Sequence, residues 1–327
     1  MGGVPKKNMS YAAIIPFFKY EPALNGSEKV LFRFFQLQLR HWIHLVDKVY
    51  IVDSGCGITK DDLLPELKEH PKVEIITKPP QSHWQNMNET IRHAKEDVVL
   101  LLDSDMVIYD WEKLHKLKWL FEQGEYHGMG IFDSSGGVAY DNPLMQENEN
   151  RFERRRFCPY FFFLRKDALR EDFDFTPRGG KNWTDSMGTV TEQLLEDKKR
   201  IFELPDDRST ISLEDTGEIT HVQWLDAPPK KWAMRENPDK GFYHIRNFGA
   251  ALQLDVYSQT DEEKFQELVN TMPQREALRL IAWYWVILEK LGDSRKPSRT
   301  VIAYGMDSIW PEYMKQFRRY HKYLEKI

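Results

Sequence analysis

The sequence predicts an α/β protein: a mostly parallel central sheet with helices on both faces, followed by a C-terminal helical extension. Three observations carry this. Across the first 130 residues, short apolar runs alternate with longer amphipathic segments in the order β-α-β-α-β-α-β. The runs YAAIIPFF and VVLLL are apolar along nearly their whole length, as strands covered on both faces must be. Beyond about residue 256 the pattern is helical, with segments at Glu262 to Val269, Gln274 to Leu291 and Tyr313 to Lys326.

Taken in order, Tyr11 to Phe18 is a buried strand and Ser27 to Val46 a helix with an apolar face and a Ser cap. Lys48 to Asp53 is a second strand, stopped by Ser54-Gly55-Cys56-Gly57. A short helix from Lys60, a strand at Val73 to Thr77, a helix near Asn86 to Lys95 and a strand at Val98 to Leu102 follow. A helix from Trp111 to Gln123 leads to a strand at Gly128 to Phe132. Ser134 to Phe157 is a polar stretch carrying Gly136-Gly137 and the cluster Arg151, Arg154, Arg155 and Arg156; connections this long are usually functional or mobile. Cys158 to Leu164 returns as a buried strand, then come a helix from Thr184 to about Lys199 and a strand near Ile201 to Leu204. Extended pieces at Ile219 to Leu225 and Phe242 to Ile245 flank a Pro-rich loop, Asp226 to Asp239. In such sheets ligands bind beyond the carboxyl ends of the strands, here just after Phe18, Val52, Thr77 and Leu102.

Composition narrows the classes of function. The 327 residues include 19 Phe, 14 Tyr and 10 Trp, enough burial to exclude a disordered or collagen-like chain. The two cysteines, Cys56 and Cys158, cannot build a disulfide framework or a Cys-rich zinc site. The start MGGVPKKNMS has no apolar signal core, and Lys6 stands where a myristoylation motif needs Ser or Thr. The longest uncharged apolar run, Leu280 to Leu288, is nine residues, about half of what spans a bilayer. These features lead to the expectation of a cytoplasmic protein, at most peripheral to a membrane. The sequons at Asn25, Asn88 and Asn182 are expected to be unglycosylated.

Leu101-Leu102-Asp103-Ser104-Asp105 is the most informative pentad. A D-x-D tripeptide is expected about once by chance in a chain this long, so its position matters more than its occurrence. Asp103 directly follows a buried strand, and a period of two projects Asp103 and Asp105 the same way. Two hard oxygen donors together suit Mg²⁺ or Mn²⁺, which keep open positions for phosphate oxygens. The alternative is an Asx turn capping the next helix.

The stretch Asn88 to Asp105 resembles the A-R-N-x-G-I-x-x-A-x-G-E-Y-I-x-F-L-D-x-D segment of GT-A fold glycosyltransferases. Asn88, Ile91, Ala94, Leu102, Asp103 and Asp105 agree in register, whereas Asn86, Met87, Thr90 and Glu96 depart from it. Val52-Asp53-Ser54-Gly55 resembles the family's V-D-D-G-S, and Ile14-Ile15-Pro16 its opening I-I-P strand. The likeness covers roughly residues 11 to 135. It implies a Rossmann-like GT-A fold and a Mn²⁺- or Mg²⁺-dependent transferase using a nucleoside diphosphate sugar, a UDP-sugar in preference to a GDP-sugar. Pro16, Asp53, Asn88 and Asp103 would then line the nucleotide-sugar site, with Asp53 at the base and Asp105 the more direct metal ligand.

The resemblance also implies a third metal ligand, a His late in the catalytic domain. His244 in GFYHIRNFGA is favoured over His221, because Arg246 would face the same side of an extended segment and bind diphosphate, and Gly241 and Gly249 make a phosphate-approaching loop plausible. A structural, hydrogen-bonded His244 is the competing reading. An inverting enzyme further needs a carboxylate base, and Asp185, ahead of the helix carrying Leu194 and Leu195, fits that place. An N-cap Asp looks the same in sequence, and Glu192 is the other candidate. Arg178 to Asn182 reads as a surface turn in preference to an acceptor- or phosphate-binding segment, and the arginine cluster as a solvated face in preference to one that steers an anionic donor or acceptor into the site.

The catalytic domain is expected over 1–255, its nucleotide-sugar half at about 11–135 and its acceptor half at about 136–255. Residues 256–327 form a helical appendage through which a homodimer could assemble. From Arg295 to Ile327 the chain carries eight Lys+Arg against three Asp+Glu among aromatic residues, a surface for a partner if those aromatics are not simply packed on the domain. The acceptor stays open among a glycan, a lipid-linked sugar, a protein and a modified nucleic acid. A sugar nucleotidyltransferase is disfavoured, because Phe17-Phe18-Lys19-Tyr20 stands where a Gly-rich loop is needed. A non-catalytic glycan- or nucleic-acid-binding protein on the same scaffold would have no need of the Asp103/Asp105 pair.

Overall fold

The structure, a computed structural model, describes residues 9–18, 29–133, 156–173, 175–176, 186–205, 242–244, 257, 261–271 and 274–293, with single positions at 314, 318, 321–322, 324–325 and 327. Seven strands form the main sheet: β1 (Tyr11–Phe18), β2 (Lys48–Ser54), β3 (Val73–Lys78), β4 (Val98–Leu102), β6 (Gly128–Asp133), β7 (Arg156–Arg165) and β8 (Ile201–Pro205). Their order is β3-β2-β1-β4-β7-β6-β8. Four of the six pairings are parallel, and β7 supplies the two antiparallel ones, with β4 and β6. Two three-residue strands, β5 (Met106–Ile108) and β9 (Phe242–His244), make a separate antiparallel pair.

Seven helices accompany them among the described residues: α1 (Lys29–Leu45), α2 (Pro65–Lys68), α3 (His83–His93), α4 (Trp111–Gln123), α5 (Ser186–Glu196), α6 (Glu262–Thr271) and α7 (Gln274–Lys290). The alternation of strand side chains splits the core in two. Tyr11, Ala13, Ile15 and Phe17 of β1 join Val98, Leu100 and Leu102 of β4 under α1, α4 and α7. Ala12 and Ile14 join Val99 and Leu101 under α3 and α5. Helices therefore cover both faces, and the mostly parallel α/β arrangement with C-terminal helices is the one the sequence predicts. Ala282 to Leu288 of α7 are buried in the same cluster as α1, with Leu324 and Ile327 beside them.

Several boundaries move for identifiable reasons. Helix α3 begins at His83 rather than Asn86, because Ser82 and Gln85 form a capping box that starts it earlier. The short helix expected from Lys60 is a 3₁₀ turn, Lys60–Asp62, followed by α2 with a Pro in its first turn. Strand β7 extends beyond Cys158 and Leu164 at both ends, held by pairing to β4 and β6. Strand β5 was not predicted at all. Cys56 and Cys158 are both buried and are not joined by a disulfide. Among the described residues no helix is long and apolar enough to cross a membrane. The polar stretch 134–155, the Pro-rich loop 226–239, Asn25 and Asn182 lie outside the described residues.

Thr90 of α3 is fully buried, and its hydroxyl has no hydrogen-bond partner among the described residues. An orphaned buried hydroxyl is destabilising, whereas a methyl of the same shape is not. Thr90→Val should therefore raise unfolding free energy by about 1 kcal/mol in urea denaturation. A loss of stability would instead show that the hydroxyl is satisfied in solution.

Candidate active site at the carboxyl ends of the parallel strands

Strands β1, β2, β3 and β4 run in one direction, so the residues that follow them gather at one edge of the sheet. Pro16 is buried within β1, opposite Val52 of β2. Asp53, also wholly buried, pairs with Phe17 on one side and Thr77 on the other. Its carboxylate accepts the backbone N–H of Cys56 at 2.8 Å and of Ile58 at 3.1 Å. Asp53 thus braces the loop that ends β2. Ser54 ties that loop to the next one, its hydroxyl accepting the Gln81 N–H at 3.1 Å and donating toward the Pro79 carbonyl at 3.3 Å. Gly55 has φ +87°, and a Cβ there would stand 2.7 Å from Pro80 Cγ, so both conformation and space demand glycine.

Asn88 lies on the sheet-facing side of α3, nearly buried, and its Oδ1 accepts the Phe175 N–H at 2.7 Å. The side chain is thereby committed to holding the backbone at Phe175, and a glycan on this sequon would have no room in the folded chain. Near it Lys78, at the end of β3, pairs with Glu89 and holds that carboxyl below the usual range.

The D-S-D turn stands at the end of β4. The backbone N–H of Met106 donates to the Asp103 carbonyl at 3.2 Å, closing a tight turn over Ser104 and Asp105. Strand periodicity no longer relates the two aspartates, because the strand has ended at Leu102 and a turn follows. Asp103 keeps the α3 side, with its carboxylate 3.6 Å from His83 Nε2 and its side chain 26% exposed. Asp105 is 9% exposed and Ser104 is buried. His83, the first residue of α3, is a site residue that sequence inspection missed; only the Ser82 capping signal could have brought it forward.

Strand β5 follows the turn immediately and pairs with β9 in the register Met106–His244, Val107–Tyr243 and Ile108–Phe242. His244 is therefore set opposite the residue next to Asp105. The other edge of β5 is held by Gln38 of α1, which is 1% exposed. Its amide donates to the Met106 carbonyl at 3.1 Å, and its Oε1 accepts the Ile108 N–H at 2.7 Å. Gln36, two residues earlier, treats the segment after the 3₁₀ turn in the same way, donating to the Asp62 carbonyl at 2.7 Å and accepting the Leu64 N–H at 2.6 Å. Neither glutamine stood out in the sequence, where both read as ordinary polar positions of an amphipathic helix.

The structure thus brings Asp53, Asp103 and Asp105 to one end of the sheet, with Pro16 two residues before the end of β1, Asn88 midway along α3, and the His244 backbone opposite Met106. Asp185, Arg246, His221, Arg178 to Asn182 and the arginine cluster lie outside the described residues; Glu192 lies on α5, half-buried. Among the described residues no three His, Cys, Asp or Glu side chains form a metal cage, and the side chain of His244 is not among those described.

The fold is of the GT-A type, and the family match places the chain among nucleotide-sugar-dependent glycosyltransferases. The chain matches Glycosyl transferase family 2 over residues 13–177, and it belongs to that family. Among solved structures it is similar to a nucleotide-diphospho-sugar transferase of Desulfovibrio desulfuricans G20, at 20% identity over 61% of this chain and 81% of that one, with TM-score 0.38. A mannosyltransferase of Pyrobaculum calidifontis, solved with GDP-Man and Mn²⁺, shares 14% identity over 98% and 86% of the two chains, with TM-score 0.40. TarS 1–349 of S. aureus, solved with UDP-GlcNAc, shares 14% over 97% and 92%, with TM-score 0.39. No curated protein matches the chain.

Removing the Asn88 side chain orphans a buried backbone N–H, so Asn88→Ala should lower unfolding free energy by about 1–3 kcal/mol. Asn88→Asp, which keeps the acceptor, should lose less. Chemical denaturation of the three proteins checks this, and equal losses in both variants would exclude the Phe175 bond as the cause.

Proposed function

We propose that this chain transfers a sugar from a nucleoside diphosphate sugar, a UDP-sugar in preference to a GDP-sugar, to a hydroxyl acceptor with inversion. On this reading Asp103, Asp105 and His244 hold a divalent cation, Mn²⁺ or Mg²⁺, and Arg246 binds the diphosphate. Pro16, Asp53 and Asn88 shape the nucleotide side of the site, Asp53 and Asn88 by fixing its loops. The observation that carries the reading is the β5–β9 pairing. It draws a His from late in the chain to the residue beside Asp105, at the one edge of the sheet where the parallel strands end. Two carboxylates and an imidazole form a donor set that fits Mn²⁺ or Mg²⁺.

When bound, such a cation stabilises the negative charge that develops on the departing diphosphate. The remaining work falls to the chain. The acceptor oxygen attacks the anomeric carbon as the bond to the diphosphate breaks, and Asp185, the residue before α5, takes the acceptor proton. His83, with Nε2 3.6 Å from the Asp103 carboxylate, adds a titratable neighbour to the site. The acceptor is a glycan, a lipid-linked sugar, a protein or a modified nucleic acid.

The test is a thermal-shift screen of UDP- and GDP-sugars with and without Mn²⁺, followed by donor hydrolysis. A nucleoside diphosphate should raise Tm only when Mn²⁺ is present. EDTA should abolish donor turnover and Mn²⁺ restore it. Asp105→Ala should lower turnover by at least about 100-fold with little change in Tm. No Tm shift with any nucleoside diphosphate and Mn²⁺ would overturn the proposal.

A further inference from the structure

We propose that Gln38 is a positioning residue for the metal site, acting through β5 on Asp105 and His244. This inference rests on the function proposed above.

A three-residue strand is too short to hold its own register. β5 is nonetheless bonded along both edges, by β9 on one side and by a single side chain on the other. The terminal amide of glutamine carries one donor and one acceptor. Here they meet the carbonyl of residue 106 and the N–H of residue 108, the two groups a neighbouring strand would have engaged. Gln38 therefore does the work of a missing strand in a place where water cannot. Met106 is both the residue that Gln38 grips and the residue opposite His244, and it follows Asp105 directly. A displacement of β5 along or away from β9 would change the separation of Asp105 from the His244 backbone.

Gln36 provides an internal comparison. It is equally buried, sits on the same helix and makes the same pair of bonds, but to the segment after the 3₁₀ turn rather than to β5. Loss of either amide damages the core alike, whereas only loss of Gln38 reaches the D-S-D turn.

The experiment compares Gln38→Met and Gln36→Met with the unmodified chain. Mn²⁺ binding is followed by electron paramagnetic resonance in the presence of UDP and, separately, GDP, and Tm is measured for each protein. Both variants should lose similar amounts of Tm. The Mn²⁺ Kd should rise at least about 10-fold in Gln38→Met and stay within about 3-fold in Gln36→Met. Should Gln38→Met not fold, Gln38→Asn, too short to reach both backbone groups, gives the same comparison. Equal Kd changes in the two variants, or an unchanged Kd in Gln38→Met, overturn the positioning role and leave the proposed function standing. If the unmodified chain binds no Mn²⁺ with either nucleotide, the proposed function fails and this inference falls with it.

Discussion

Strand β4 sets the terms for the rest of the molecule. It lies between β1 and β7 with helices over both faces, and its five residues are all buried. Such a strand cannot admit a polar side chain until it leaves the sheet, because an unpaired polar group between two apolar layers costs several kcal/mol. The first polar residue after it, Asp103, is consequently delivered to the sheet edge. Parallel pairing of β1 with β4 then fixes which edge, since a parallel neighbour must begin and end at the same sides. The carboxyl ends of β1, β2 and β3 are brought to Asp103 by the same requirement.

Bringing loops together at one edge creates a second problem, which buried polar side chains solve. A loop pressed against a core has backbone groups that neither water nor a ladder can satisfy. Here each receives its own side-chain partner: Asp53 for Cys56 and Ile58, Ser54 for Gln81, Gln36 for Leu64, Gln38 for Ile108, and Asn88 for Phe175. These bonds differ in kind from surface ion pairs, which contribute little individually. Breaking one strands a buried group, and the loop it held loses its place in the site. Asp53 and Asn88 therefore act by fixing backbone, Asp53 in the loop after β2 and Asn88 at Phe175.

What could be read in the sequence follows from the same physics. The strands β1, β2 and β4 were legible because burial on both faces leaves an uninterrupted apolar run, and α4 because its apolar residues recur at helical spacing. The D-S-D turn was legible because it directly follows such a strand. Strand β5 was not, since three apolar residues become a strand only through a partner far along the chain. Gln38 was hidden for a related reason: on a helix, a glutamine that faces solvent and one that grips a distant backbone have the same sequence signature. The facing of Asp103 and Asp105 was not legible, because period two applies only while the strand lasts. Legibility failed wherever a residue's role depended on contacts that are not local.

Antiparallel strand β7 explains how the later part of the chain reaches the site. Because β7 runs against β4, its first residues rather than its last lie at the carboxyl end of β4, and Asp103 donates its N–H to Tyr160 at 3.4 Å. Helix α5 is fastened along the same direction. Its Thr191 hydroxyl accepts the Phe157 N–H at 3.0 Å, near the start of β7. One turn further on, Leu194 packs at Gly128, which pairs with Leu164 at the other end of β7. The helix must then run from the site edge of the sheet toward the opposite edge, with its N-terminus on the side of the D-S-D turn. The described start of α5 therefore lies at the edge of the sheet where the parallel strands end. The first half of the chain thus reaches the site by parallel strands that end there, and the second half by antiparallel elements that begin there.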